Sequence, residues 1–136
     1  LEQYREHLFI AIDHPNGQMT KAFGEVVRPN LKILPPQSYS DFVSLLKRSA
    51  LVISDSGGIQ EEATYLCVPL LILREDTERR EALASPNTAI QSLGVDVRND
   101  VKSLLNSDRS LGWSKRHVFG DGYASEAIVD TLTSRL

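Results

Sequence analysis

Residues 51–63 (Leu51-Val52-Ile53-Ser54-Asp55-Ser56-Gly57-Gly58-Ile59-Gln60-Glu61-Glu62-Ala63) read as an apolar strand turning through a Ser-Gly-Gly corner into a helix. The first N–H groups of a helix have no intrahelical partner and its dipole is positive there, so an anion at such a corner meets aligned donors. Glycine at positions 57 and 58 lets the anion approach, and Ser56 adds a hydroxyl or caps the helix. Glu62 falls about one turn further on. A carboxylate touching phosphate would be repelled, so the sensible partner of Glu62 is a neutral diol such as the 2′- and 3′-hydroxyls of a ribose. Ser56, Gly57, Gly58 and Glu62 together therefore favour a nucleoside diphosphate. The corner by itself also fits plain capping and a tight turn. It is not Gly-x-Gly-x-x-Gly, and no Gly-Lys-Ser/Thr follows, which disfavours dinucleotide and P-loop readings.

A second stretch, Arg74-Glu75-Asp76-Thr77-Glu78-Arg79-Arg80-Glu81, is dense in charge and follows an apolar run directly. Such a run usually forms a solvated helix start. In an open parallel sheet, however, ligands sit outside the carboxyl ends of the strands, so the loops after Ile53 and Leu73 should share one rim. Arg79 would then reach a phosphate held at Gly57 and Gly58.

The elements that must position these groups follow from periodicity. Short apolar runs alternate with helix-period segments, the pattern of an α/β fold with a Rossmann-like parallel sheet and helices on both faces. Strands are expected over residues 7–12, 31–34, 51–54, 70–73 and 88–91, and helices over 18–27, 38–48, 59–66, 78–83, 97–106 and 123–136. Met19, Phe23, Val26 and Val27 should share one face of the first helix, and Phe42, Leu45 and Leu46 should turn inward on the second. Val97, Val101, Leu104 and Leu105 mark a packing helix. Ala127, Ile128, Leu132 and Leu136 mark one side of a closing helix, and residues 109–122 read as loop.

A chain of 136 residues, 41% hydrophobic and 24% charged, suits one globular domain with a single core. Its 15 basic and 18 acidic residues give a formal charge of −3, which offers no general attraction to nucleic acid or to anionic membranes. No apolar stretch approaches the roughly 20 residues that span a bilayer, and the expected location is cytoplasmic. Cys67, alone in an apolar run, is expected to be a buried core thiol. The chain opens at Leu1 without a start signal, as a fragment or processed product would.

The block 55–63, followed by Pro69 and then Arg74-Glu75-Asp76-Thr77-Glu78-Arg79, closely resembles the signature of UDP-N-acetylglucosamine 2-epimerases. His14-Pro15-Asn16, Pro36-Gln37-Ser38-Tyr39 with Phe42, and Phe119-Gly120-Asp121-Gly122-Tyr123-Ala124 also look like segments of that family, so the resemblance covers nearly the whole chain. It implies the C-terminal domain of a GT-B-type enzyme, in which two Rossmann-like domains face across a cleft. Carried over by position, Ser56, Gly57 and Gly58 would hold the diphosphate, Glu62 the ribose and Arg79 the phosphate region, while Gln37 and Phe42 would flank the uracil.

The family's non-hydrolysing members invert C2 of the sugar by proton removal and loss of UDP, followed by re-addition of UDP. The resemblance implies that the acid and base carboxylates and a His-Arg-Arg-Glu-like segment belong to the other domain. No proton-transfer residue is then expected in residues 1–136, and Arg79 with the aligned amides would stabilise the departing diphosphate. Neither cofactor nor metal is called for. The implied partners are UDP or a UDP-N-acetylhexosamine and the N-terminal domain of the same enzyme, with a homodimer for the intact protein. His7, His14 and His117 do not match the family's catalytic histidine. His14 resembles a position near a regulatory sugar-nucleotide site of some bacterial members, and a plain surface histidine is the simpler reading. Arg80, where the family usually has proline, and Ser85-Pro86-Asn87, in place of a glycine-rich turn, bear on substrate subtype. A hydrolysing epimerase, a GT-B glycosyltransferase donor domain and a free-standing nucleotide-sugar binding module remain as alternatives.

Overall fold

The computed structural model describes residues 2–24, 28–108 and 118–134. Val26, Val27, residues 109–117 and Leu136 lie outside the described residues, as does the side chain of Met19. The chain divides into two compact units, Leu1–Phe42 and Val43–Leu136.

The first unit is one β-α-β step: β1 (Phe9–Ile12), α1 (Gln18–Phe23) and β2 (Leu31–Leu34). The strands are parallel, with Phe9 opposite Leu31 and Ile12 opposite Leu34. β1 starts two residues later than expected because His7 is already committed to a turn. Its amide donates to the Tyr4 carbonyl (3.1 Å), and Asn30 Nδ2 donates to the carbonyls of both Tyr4 and His7. Ladder bonding begins with the Phe9 amide on the Asn30 carbonyl (2.8 Å). At the far end of β1, buried Asp13 accepts from the amide (3.2 Å) and hydroxyl (2.5 Å) of Thr20 and so fixes the first turn of α1.

α2 (Tyr39–Arg48) opens on a reciprocal cap, in which the Asp41 amide donates to Ser38 Oγ and the Ser38 hydroxyl donates to Asp41 Oδ2. Leu46 is buried, while Phe42 and Leu45 are half-buried.

In the second unit, β3 (Val52–Ser54), β4 (Leu70–Leu73) and β5 (Thr88–Gln91) form a parallel sheet in the order β3-β4-β5. Pairing on both edges and cover on both faces make β4 the centre of the core, with Leu70, Leu71 and Ile72 at 0% exposure. That is why its sequence is an unbroken apolar run, each such side chain contributing about 1.5–3 kcal/mol through burial. α3 (Gly57–Tyr65) adds Ala63 to this core, and α4 (Arg98–Leu105) adds Val101 and Leu104. Residues 78–83, read as a helix, form instead a short 3-10 turn, Arg80–Ala84, with Ala82 buried.

α5 (Ala124–Thr133) starts one residue later than expected, has 10 residues and has no buried side chain. Ile128 and Leu132, expected to pack, are 59% and 62% exposed. Apolar period fixes which residues share a face, whereas burial of that face needs an element laid against it. None of the described helices is long and apolar enough to cross a membrane.

α3 starts at Gly57, two residues before the expected start, because both glycines adopt right-handed helical backbone rather than a turn. At its other end the Cys67 amide donates to the Thr64 carbonyl (3.0 Å) and the Val68 amide to the Ala63 carbonyl (2.9 Å). This paired closure places a left-handed residue just past the helix, usually glycine. Here it is Cys67, at φ 54° and half-buried rather than in the core as expected. A side chain in that conformation costs about 1–2 kcal/mol, and glycine gives back part of the gain through unfolded-chain entropy. Cys67→Gly is therefore expected to stabilise the protein by up to about 1 kcal/mol, read as a higher urea midpoint with an unchanged slope. A lower midpoint would show that the thiol's packing outweighs the backbone strain.

Candidate functional site

The N-terminus of α3 carries no side-chain cap. Ser56 is extended (φ −77°, ψ 131°), its hydroxyl makes no capping bond, and its amide donates to Ser54 Oγ (3.1 Å). The first intrahelical bond runs from the Gln60 amide to the Ser56 carbonyl (3.4 Å). The amides of Gly57, Gly58 and Ile59 precede it and have no acceptor within the helix. The capping role open to Ser56 in the sequence is thus not the one the structure uses.

Residues four apart share a helix face, and α3 divides its faces cleanly. Gln60, Ala63 and Thr64 are buried in the core. Gly57 and Glu61 face the loop after β4. Gly58 and Glu62 occupy a third face, where a Cβ built on Gly58 would meet nothing within 4 Å. Glu62 is half-buried, and its carboxylate makes no hydrogen bond or ion pair with any described residue.

The loop after β4 is bound to α3 at two levels. Below, the hydroxyl of Thr77, a residue 2% exposed, donates to Gln60 Oε1 (2.6 Å) and accepts from the Arg79 amide (3.1 Å). Gln60 Nε2 has no partner among the described residues. Above, Arg79 Nε donates to Glu61 Oε1 (2.6 Å) and Arg79 Nη1 to Glu78, whose other oxygen accepts from Arg74 Nη1 (2.8 Å). The guanidinium then lies so close to α3 that a Cβ at Gly57 would be 3.0 Å from Arg79 Cζ.

Electrostatics follow these contacts. The hydrogen bond to Glu61, reinforced by the charges of Glu61 and Glu78, raises Arg79 above the ordinary guanidinium value. A bond from its own amide, with lesser help from Arg74 and Arg79, lowers the Glu78 carboxyl. Asp76 is lowered first by the Thr77 amide and then by Arg80, with which it pairs at 3.3 Å.

Ser56, Gly57, Gly58, Glu62 and Arg79 thus all lie on or beside the first two turns of α3, and Arg79 shares the rim with Gly57 as expected. Gln37 and Phe42 belong to the other unit. Both are half-buried there, and Gln37 Nε2 donates to the Pro35 carbonyl (2.5 Å). That unit also has an open pocket of about 500 Å³ lined by Asp13, His14, Gly17, Thr20, Leu34 and Pro36 among others; His14 is exposed at it, and neither Gln37 nor Phe42 lines it. Among the described residues no three His, Cys, Asp or Glu side chains are grouped to hold a metal. Sequence reasoning missed Gln60, Glu61 and Thr77. The available signal was that Glu61 is one turn from Gly57, just as Glu62 is from Gly58.

The family model described as UDP-N-acetylglucosamine 2-epimerase matches residues 1–133. A relative of that name from Methanococcus maripaludis is 42% identical over 136 residues, covering 96% of this chain and 36% of its own length. Two solved structures are also similar. The Methanocaldococcus jannaschii UDP-GlcNAc 2-epimerase in complex with UDP-GlcNAc and UDP has a TM-score of 0.76 at 29% identity over 97% of this chain. The Neisseria meningitidis enzyme bound to UDP-GlcNAc has a TM-score of 0.75 at 31% identity over 98%. This chain covers 37% of each of those two chains, so it spans little more than a third of the proteins it matches. With the match running across both units and through both charged blocks, the chain belongs to the UDP-N-acetylglucosamine 2-epimerase family.

Proposed function

We propose that this chain is the UDP-binding, C-terminal part of an enzyme that interconverts UDP-N-acetylglucosamine and UDP-N-acetylmannosamine. The observation that carries the reading is the uncapped start of α3: amides with no acceptor in the helix, open space over Gly58, and on the same face the carboxylate of Glu62, unpaired among the described residues. Ser56 and the amides of Gly57 and Gly58 hold the diphosphate, Glu62 accepts from the ribose diol, and Arg79 faces the phosphates. In the first unit, Gln37 and Phe42 are the residues that the family resemblance gives to the uracil; with its Nε2 on Pro35, Gln37 keeps Oε1 as an acceptor.

In the reaction, a base outside residues 1–136 takes the proton from C2 while the C1–O bond breaks and its electron pair leaves with UDP. Return of a proton to the opposite face of C2 and re-addition of UDP at C1 complete the inversion. UDP must stay bound between the two halves, and fixed amides with Arg79 stabilise the charge that grows on it.

Two outcomes are expected. This chain alone should bind UDP yet leave the C2 position of UDP-N-acetylglucosamine unlabelled in deuterated water, followed by NMR. Deuterium at C2 would place proton-transfer groups within residues 1–136.

In the complete protein, Gly58→Ala should raise the melting temperature slightly, since alanine is the better helix former by up to about 1 kcal/mol and its methyl meets no atom. The same methyl should weaken UDP roughly tenfold, within the about 1–3 kcal/mol that overpacking a close contact costs. Glu62→Ala should weaken UDP by about ten- to hundredfold, the range for a hydrogen bond to a charged group, and weaken 2′-deoxy-UDP less. A more stable Gly58→Ala protein with undiminished UDP affinity would remove the phosphate from that face. Equal losses for both ligands in Glu62→Ala would remove the 2′-hydroxyl.

A further inference from the structure

The two glycines of the corner stand in opposite surroundings. Neither has the left-handed backbone that demands glycine, so each is explained by space. Gly58 faces nothing within 4 Å. Gly57 faces the Arg79 side chain: a Cβ would be 3.0 Å from Cζ, 3.0 Å from Nη1 and 3.1 Å from Glu78 Oε1. Ordinary contact between such atoms begins some tenths of an ångström further out, so a methyl there requires the guanidinium to give by that much.

The guanidinium is not free to yield. Its Nε is bonded to Glu61 Oε1 at 2.6 Å and its Nη1 to Glu78, while its backbone amide is tied to Thr77 Oγ1, itself anchored on the fully buried Gln60. Only Nη2 lacks a partner among the described residues. Held in this way, Arg79 is fixed in position with one edge unused.

We infer that Gly57 and Glu61 are positioning residues for Arg79: Gly57 supplies the space in which the guanidinium lies and Glu61 fixes its orientation, leaving Nη2 for the nucleotide. The inference rests on the proposed phosphate role of Arg79 and assigns the two glycines different tasks. Gly57 admits a side chain of the protein, and Gly58 admits the ligand. A guanidinium held by one bond to each of two carboxylates has a set orientation, so loss of either bond should weaken binding by misplacement without unfolding α3.

The test uses the complete protein labelled with 15N-arginine, the Arg79 Nε–H resonance being assigned by its disappearance in Arg79→Lys. In the unaltered protein and in Gly58→Ala, the resonance should be observed and exchange slowly with solvent. In Gly57→Ala and in Glu61→Ala it should be lost to exchange, with circular dichroism and melting temperature close to the parent. Both variants should weaken UDP by about three- to thirtyfold, less than a fully buried charged bond would give because Arg79 is partly exposed. In an Arg79→Ala background, Gly57→Ala should cost no further affinity, since the side chain it displaces is gone. Glu61→Ala keeps the proposal testable should Gly57→Ala disturb the helix.

An Arg79 resonance that persists unchanged in Gly57→Ala and Glu61→Ala overturns the positioning of Arg79. Losses from Gly57→Ala and Arg79→Ala that multiply overturn it as well, because Gly57 would then act on the ligand directly. A resonance that vanishes as expected while Arg79→Ala leaves UDP affinity intact overturns the phosphate role of Arg79, with the clasp standing.

Discussion

Arg79 is clasped between Glu61 and Glu78, and the surrounding rim accommodates that clasp. The side chain crosses from the loop after β4 to the first turn of α3, where a Cβ at the first position would crowd it at 3.0 Å. The loop needs a fixed height, which the Thr77 hydroxyl sets by bonding Gln60 on one side and the Arg79 amide on the other. Parallel pairing of β3 with β4 brings both loops to the same end of the sheet. Removing any one of these conditions leaves a guanidinium with no defined place to lie.

Magnitudes separate what holds the fold from what aims the site. Three fully buried side chains on β4 contribute several kcal/mol together, whereas exposed ion pairs contribute about 0–1 kcal/mol each. Arg79, Glu61 and Glu78 retain 30%, 45% and 57% exposure, so their bonds act mainly on orientation. Arg74, Glu78, Arg79 and Glu61 also alternate in sign along one chain of contacts. Their formal charges cancel. An anion at α3 would then be met chiefly by oriented amides and one guanidinium edge, in keeping with a protein of net charge −3.

The strands were legible because an apolar run bounded by turn residues has few other uses, and β4, buried on both faces, is the extreme case. The corner was legible as chemistry, since serine and two glycines at a strand-to-helix junction restrict what can approach. The start of α3 is hidden in sequence because glycine commonly marks turns, while here both glycines are helical. Glu61 and Glu62 look alike in sequence because nothing in a linear charge run says which members will be consumed by each other. The left-handed backbone of Cys67 leaves no trace in composition when glycine is absent, so its apolar neighbours point only to the core. For α5, periodicity located the helix and gave no information on what would cover it.

The uneven protection of α3 has a consequence for solvent exchange. Its closing amides are bonded back into the helix and lead directly into β4, whose full burial makes it the segment expected to exchange most slowly. Its opening amides, at Gly57, Gly58 and Ile59, have no acceptor in the helix and lie where water reaches them. Amides of one nine-residue helix are therefore expected to exchange at widely different rates from end to end. An anion seated at its tip would convert the fast end into a slow one while leaving the far end unchanged, so occupancy would be written as a kinetic step within two helical turns.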